Sequence, residues 1–252
     1  MTPSPILHRI LGIGNPLGIG VTGVRQGSVS AYAKPASGYI AANEMVCGEI
    51  ARFLGLRVPS FGLAHPGVTG QPIFFCSLDF NFSGQQLPPA NAAALAAALP
   101  AYSAGVIAFD CLVANTDRHP GNIAFDARPG QEPTLVIYDH SHALLGSAPG
   151  GGSQRLRTLR DRLALNLDGQ TGGNRHCLAD HLHDAALLGD WCERAATIPP
   201  WWLSNLVKSV PGLTAIETNE TIEFLSHRSR NLRVILRTNL HQFKSIQQTT
   251  LL

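Results

Sequence analysis

From residue 12 to residue 34 the chain is rich in glycine and β-branched residues, with a loose alternation at Val29, Ala31 and Ala33 leading into Lys34. Alternation sends successive side chains to opposite faces, so this stretch predicts a hairpin or small sheet with glycines at its turn. From 41 to 55 the period changes. Met45, Val46, Ile50, Phe53 and Leu54 fall on one side of a helix, and Gly55 supplies the stop. Arg57-Val58-Pro59 then leads to short strands, of which Pro72 to Leu78 is the clearest. The polar, proline-bearing stretch from Asp79 to Pro89 reads as a connector. Beyond Ala90 the pattern is mainly helical, broken by a strand–loop–strand around residues 113 to 139. Gly150 to Ser153 reads as a flexible loop. Helices are expected over Ala179 to Ala195 and Thr221 to Phe243, and another is opened by Pro199-Pro200 with Trp201 and Trp202 in its first turn. The chain is therefore expected to be α+β: one domain with a small β-rich lobe over 1–80 and a larger, mainly helical lobe over 81–252.

Composition narrows the picture only in part. Hydrophobic residues make up 44% of the 252 positions, enough for a core, while charged residues are only 14%. A net charge of +2 gives no basis for broad binding to nucleic acid or an anionic membrane. The basic clusters at Arg155 to Arg162 and Arg228 to Arg237 read as solvated helix faces. Five scattered cysteines with no Cys-x-x-Cys spacing suggest buried thiols in a reducing cytoplasm, and no signal peptide is evident. Ala92 to Ala114 is apolar, but Pro100, Gly105 and Asp110 interrupt it, so two soluble helices are expected rather than a membrane span.

The chemistry concentrates in Asn115-Thr116-Asp117-Arg118-His119-Pro120-Gly121-Asn122, followed by Leu135-Val136-Ile137-Tyr138-Asp139-His140. Asn and Asp favour turns on local grounds, so the loop alone decides little. Its setting adds more. An apolar helix from Val106 to Val113 precedes it, Ile123 to Phe125 follows as a strand, and Asp139 ends a second strand. Phosphoryl transfer needs one carboxylate for the attacking hydroxyl, with an amide and a second carboxylate to hold Mg²⁺ on nucleotide phosphates. Protein kinases use this order and nearly this spacing. Asp117 is then the group on the hydroxyl, and Asn122 and Asp139 are the metal ligands. Lys34 would reach the phosphates, with Glu44, rather than Glu49, holding its ammonium in place.

Two other chemistries compete. Gly18-Ile19-Gly20-Val21-Thr22-Gly23 matches a dinucleotide fingerprint, but that motif must open a helix, and Val24 to Val29 is strand-like with a further glycine. A flap of backbone amides over phosphates, including Gly20 and Gly23, fits better. His119, His140 and His142 form one histidine group, and His176, Cys177, His181 and His183 another. Neither contains a His-Glu-x-x-His motif, so structural or exposed histidines are expected rather than a zinc site.

Together these residues resemble the HipA-like kinases, relatives of bacterial toxin kinases and more distantly of phosphatidylinositol kinases. Ala33-Lys34-Pro35 resembles the family's nucleotide lysine. Asn43-Glu44-Met45-Val46-Cys47 through Leu54-Gly55-Leu56-Arg57-Val58-Pro59 is similar to its Asn-Glu helix. Phe75-Cys76-Ser77-Leu78-Asp79 falls at the interlobe hinge, Phe109-Asp110 with Asn115 to Asn122 at the catalytic loop, and Tyr138-Asp139-His140 at the metal-binding segment. The resemblance implies a two-lobed, protein-kinase-like fold, ATP and Mg²⁺ as cofactors, and a Ser or Thr of a protein as acceptor. Adenine is expected on the backbone around Phe75, Cys76 and Leu78. Ser141 departs from the Gly that many kinases place two residues after the metal-binding Asp, which leaves room for a nucleotide-binding pseudokinase. A kinase for a lipid or small molecule is a further alternative. The chain is shorter than the toxin kinases, and from 150 onward it matches none of their motifs.

Overall fold

The computed structural model describes residues 10–17, 24–67, 71–80, 89–127, 132–168 and 174–246. β1 (Ile10–Pro16) and β2 (Arg25–Val29) form an antiparallel hairpin that is solvent-exposed along its whole length. β3 (Ala31–Pro35), β4 (Phe61–Ala64) and β5 (Phe74–Leu78) make a separate antiparallel sheet in the order β3-β5-β4. Lys34 pairs with Phe75 across β3 and β5, so this register fixes where the lysine side chain starts.

Helix α1 (Ile40–Leu54) packs on β4 and β5. Its apolar positions recur at helical spacing, and Val46, Cys47, Ile50 and Leu54 are buried. Phe53, expected on that inner face, lies outward and stacks on Trp202 with ring centroids 5.1 Å apart. The apolar stripe is wider than the core face, and a second helix covers its margin. Gly48 is needed for close packing, since a Cβ there would come within 2.4 Å of the Phe61 ring. Gly55 ends the helix at φ +84°, a conformation that favours glycine.

The apolar stretch after residue 90 forms two helices, α2 (Ala92–Ala98) and α3 (Pro100–Leu112), bent by 117° at the break. No single described helix is long and apolar enough to cross a membrane, and these two meet that test only as a bent pair. The antiparallel hairpin β6 (Ile123–Asp126) and β7 (Thr134–Ile137) follows. Then come α4 (Gly152–Leu159), α5 (Gly189–Ala196), α6 (Pro200–Ser209) and α7 (Ala215–Thr238). Gly152 and Ser153, expected in a loop, open α4 instead. The helix expected over 179–195 is broken into 3-10 turns at Ala179–His181 and Ala185–Leu188 before α5 begins. α7 starts several residues earlier than its apolar spacing suggests, because Thr214 and Glu217 form a reciprocal capping box.

The basic clusters are not wholly solvated faces. Arg228 on α7 is fully buried and donates to the carbonyls of Leu159, Arg162 and Cys111, drawing the chain after α4 onto α7. Arg155 donates to the Leu144 and Ala114 carbonyls at 2.9 and 2.8 Å. One continuous core runs from α1 through α3 and the β6–β7 hairpin to α7. The expected lobe boundary, between 80 and 81, falls where the described residues break off.

Candidate active site

Three elements converge on one point: the end of β3, the first turns of α1, and the chain just past β7. Lys34 Nζ lies 2.8 Å from Glu44 Oε1 and 2.9 Å from Asp139 Oδ1. Glu49 pairs instead with Arg52 on the same helix. The second oxygen of Glu44 accepts the backbone N–H of His140 at 3.0 Å. One residue back on α1, Asn43 donates to the carbonyls of Ser141 and Gly146 at 2.8 and 2.9 Å. Two neighbouring α1 side chains thus pin the segment that carries Asp139.

Asp139 itself has φ +58°, an uncommon conformation for a residue with a side chain. The Ser141 hydroxyl donates to Asp139 Oδ1 at 2.6 Å. Ser141 therefore closes a short turn on the carboxylate. Burial alone would raise the Asp139 carboxyl, but the Ser141 hydroxyl and the Lys34 ammonium outweigh it and hold it well below the usual range. For Glu44 burial prevails over the same lysine, so its carboxyl is raised. Burial opposes the Lys34 charge, and the two carboxylates more than offset it.

Behind this point lies a fully buried network. Arg118 grips Asp110 with two bonds, Nε to Oδ2 at 2.8 Å and Nη2 to Oδ1 at 2.9 Å. Its Nη1 reaches the carbonyls of Asn122 and Tyr138 at 3.0 and 2.9 Å, so one guanidinium ties the Asn115-to-Asn122 loop to the residue before Asp139. Asn115 and His176 complete the shell around Asp110 at 2.8 and 3.1 Å. Asp110 resists the upward push of burial because Arg118 and His176 hold its carboxyl far below the usual range.

Asp117 is fixed from several sides. Asn122 Nδ2 donates to its carbonyl at 2.9 Å, and Asn115 Oδ1 accepts its N–H at 3.3 Å. Its carboxylate is half-buried and receives Asn174 Nδ2 on Oδ1 at 3.0 Å. Because the Asn122 amide nitrogen is engaged, its Oδ1 is the atom a cation could use. Asn122 and Asp139 offer hard oxygen donors, one amide and one carboxylate. That set fits Mg²⁺, which keeps several waters and phosphate oxygens when protein-bound. Among the described residues no group of three or more His, Cys, Asp or Glu is gathered around a metal position.

Lys34, Glu44, Asp139 and His140 line one end of a cavity of about 300 Å³. Val58, Phe61, Phe75, Phe80, Ile137 and Tyr138 give the rest an apolar, aromatic lining. Of the residues expected on adenine, Phe75 lines the cavity but Cys76 and Leu78 do not. Alternate residues of a strand face the same side, which brings Phe75 together with Ser77. The β5 backbone, expected to bind adenine, is engaged in the sheet. β5 is the central strand, paired on both edges, and the Leu78 N–H donates to the Ser60 carbonyl at 2.7 Å. Gly20 and Gly23, expected over the phosphates, lie outside the described residues.

The histidines separate. His140 and His176 are buried, while His142 is half exposed, with Nε2 3.9 Å from Asp117 Oδ2. Burial and the nearby Arg118 push the His140 ring down to about 3. Burial pushes the Cys177 thiol up to about 12. Residue patterning overlooks Arg118 and Asn174 as members of this site. A charged Asp110 inside the apolar run Val106 to Leu112 is a legible sign of a buried pair. For Asn174 the sequence carries no comparable sign.

No family model matches the chain, and no curated protein matches it in sequence. Its structure is similar to the crystal structure of the Helicobacter pylori proinflammatory kinase CtkA, with TM-score 0.54 and 18% identity over 84% of this chain and 90% of that one. A weaker likeness is to HipA of Shewanella oneidensis MR-1, in a toxin–antitoxin complex with HipB and operator DNA, with TM-score 0.43 and 15% identity. It covers 96% of this chain, which spans about two thirds (65%) of that HipA chain. The fold is thus that of a kinase: α+β, with small β-sheets at the N-terminal end and a mainly helical remainder.

Proposed function

We propose that this chain is an ATP-dependent phosphotransferase acting on a serine or threonine hydroxyl of a protein, in the reducing cytoplasm that its five free cysteines suit. The observation that carries the reading is the placement of Lys34 between Glu44 and Asp139 at the polar end of an apolar cavity. The aromatic lining suits a nucleobase, and the lysine end suits its phosphates. Glu44, bonded to both Lys34 and the His140 N–H, keeps the ammonium charged and aimed. Asn122 and Asp139 would hold Mg²⁺, which when bound would neutralise charge on the phosphates. Asp117 orients the acceptor hydroxyl and takes up its proton as the oxygen bonds to the γ-phosphorus and the bond to the ADP leaving group breaks.

A specific observation favours a second reading, a nucleotide-binding module without turnover. Asp139 is engaged by both Lys34 and the Ser141 hydroxyl, the two partners a metal would have to compete with. The experiment is transfer of labelled γ-phosphate, to the protein itself and to proteins of a cell lysate, by wild type and Asp117→Ala. Wild-type transfer should fall by at least about a hundredfold in the variant, with thermal stability retained. Transfer unchanged by the substitution would refute the assignment. A nucleotide-dependent thermal shift without any wild-type transfer would favour the second reading.

A further inference from the structure

We infer that Asn174, from a segment carrying no kinase motif, is a positioning residue for Asp117 and decides which carboxylate oxygen meets the acceptor. This rests on the phosphotransferase reading above and deepens it. Asn174 donates twice to one oxygen of Asp117: its side-chain Nδ2 to Oδ1 at 3.0 Å and its backbone N–H to the same atom at 3.3 Å. Two donors on Oδ1 fix the carboxylate plane and leave Oδ2 as the oxygen for a hydroxyl. On that side stands the half-exposed His142 ring, its Nε2 3.9 Å from Oδ2, beyond hydrogen-bond reach.

Asn174 is held by the same network that holds the catalytic loop. Asn166 Nδ2 donates to the Asn174 carbonyl at 3.0 Å, and the His176 N–H donates back to the Asn166 carbonyl at 2.7 Å. His176 is buried against Asp110, and the next N–H, that of Cys177, donates to the Arg118 carbonyl at 2.9 Å. The position of Asn174 is therefore set by Asp110 and Arg118, the pair that also sets the carbonyls of Asn122 and Tyr138. A clip that reads its geometry from the catalytic loop and returns two bonds to the catalytic carboxylate serves orientation more than stability, since all its partners are otherwise anchored. A misaligned general base lowers turnover and leaves nucleotide affinity alone.

The test is a double-mutant cycle on Mg²⁺·ATP turnover, read as γ-phosphate release to water and to the protein, in wild type, Asn174→Ala, Asp117→Ala and the double variant. Asn174→Ala should lower kcat roughly tenfold with the KM for ATP unchanged, and should have no further effect once Asp117 is alanine. Asn174→Ser, which keeps a short donor, should recover part of the loss. An equal loss in both backgrounds, or a loss confined to KM, would show that Asn174 does not act through Asp117. Wild-type turnover that Asn174→Ala leaves unchanged would overturn this inference while the phosphotransferase reading stands. Absence of turnover in the wild type would overturn both.

Discussion

Two ion pairs lie side by side in the site, one nested inside the other in sequence, and they are built differently. Asp110 and Arg118 are both fully buried, joined by two parallel bonds, with the guanidinium's remaining donors on the Asn122 and Tyr138 carbonyls and beside the His140 ring. Lys34 and Asp139 meet through a single contact at the mouth of a cavity and keep 39% and 34% of their side-chain surface exposed. Arginine's planar fork suits a permanent, geometrically exact joint, whereas lysine's point charge on a flexible stem can change partners. One pair is a fixture of the fold. The other is open to exchange, and an incoming phosphate or cation would compete for the same atoms.

The largest expected effect comes from breaking the fixture. Arg118→Met leaves the Asp110 carboxylate buried without its cation, and should cost about 3–5 kcal/mol of unfolding free energy in urea titrations. A loss under about 1 kcal/mol would mean that the network is not the joint described here.

His140 sits between the two pairs, beside Arg118 on one side and following Asp139 on the other. Its ring is pushed down to about 3, so the folded state holds it neutral while the unfolded chain takes up a proton below about 6.5. The corresponding stability is complete above about pH 6.5 and is lost as pH falls toward the folded value. By pH 5 the loss amounts to about 2 kcal/mol, some 1.5 pH units at about 1.36 kcal/mol each. Asp110 and Asp139, both held low, lose stability in the same direction but only once pH falls through the ordinary carboxylate value, below this window. His140→Phe should remove the slope between pH 7 and pH 5 in metal-free urea titrations. An unchanged slope would place its origin in another group.

Much of this arrangement is legible in the residues themselves. The Asn115-to-Asn122 loop, the strand ending before Asp139, and a helix from about 41 carrying Glu44 follow from turn chemistry and apolar spacing. So does the choice of Glu44 over Glu49, because only a residue in the first turns of α1 lies near the end of β3. The capping box explains why α7 begins early, and that signal, Thr214 with Glu217, is present in the sequence but obscured by the polar run Thr218-Asn219-Glu220 that follows it. The break at 179–188 was not legible, because alanine and leucine suit a helix and a 3-10 turn alike. Asn174 was not legible either. It reaches Asp117 across 57 positions through Asn166 and His176, and no local pattern encodes such a path. The sheet order around the expected hinge was not legible either. Strand propensity located β5, but only the sheet order makes it central and takes its backbone for pairing.

The smallest expected stability effect, and the sharpest contrast with Arg118, belongs to the exchangeable pair. Lys34→Met should change unfolding free energy by no more than about 1.5 kcal/mol, since the contact with Asp139 is solvent-screened and the buried Glu44, left without its ammonium, can take up a proton. The decisive property of the same variant is its affinity for nucleotide. Calorimetric titration of Mg²⁺·ATP into wild type and Lys34→Met should give saturable binding in the wild type and affinity at least about tenfold weaker in the variant. Equal affinity in the two proteins would contradict a phosphate-binding role for Lys34, and with it the reading of this cavity as a nucleotide site.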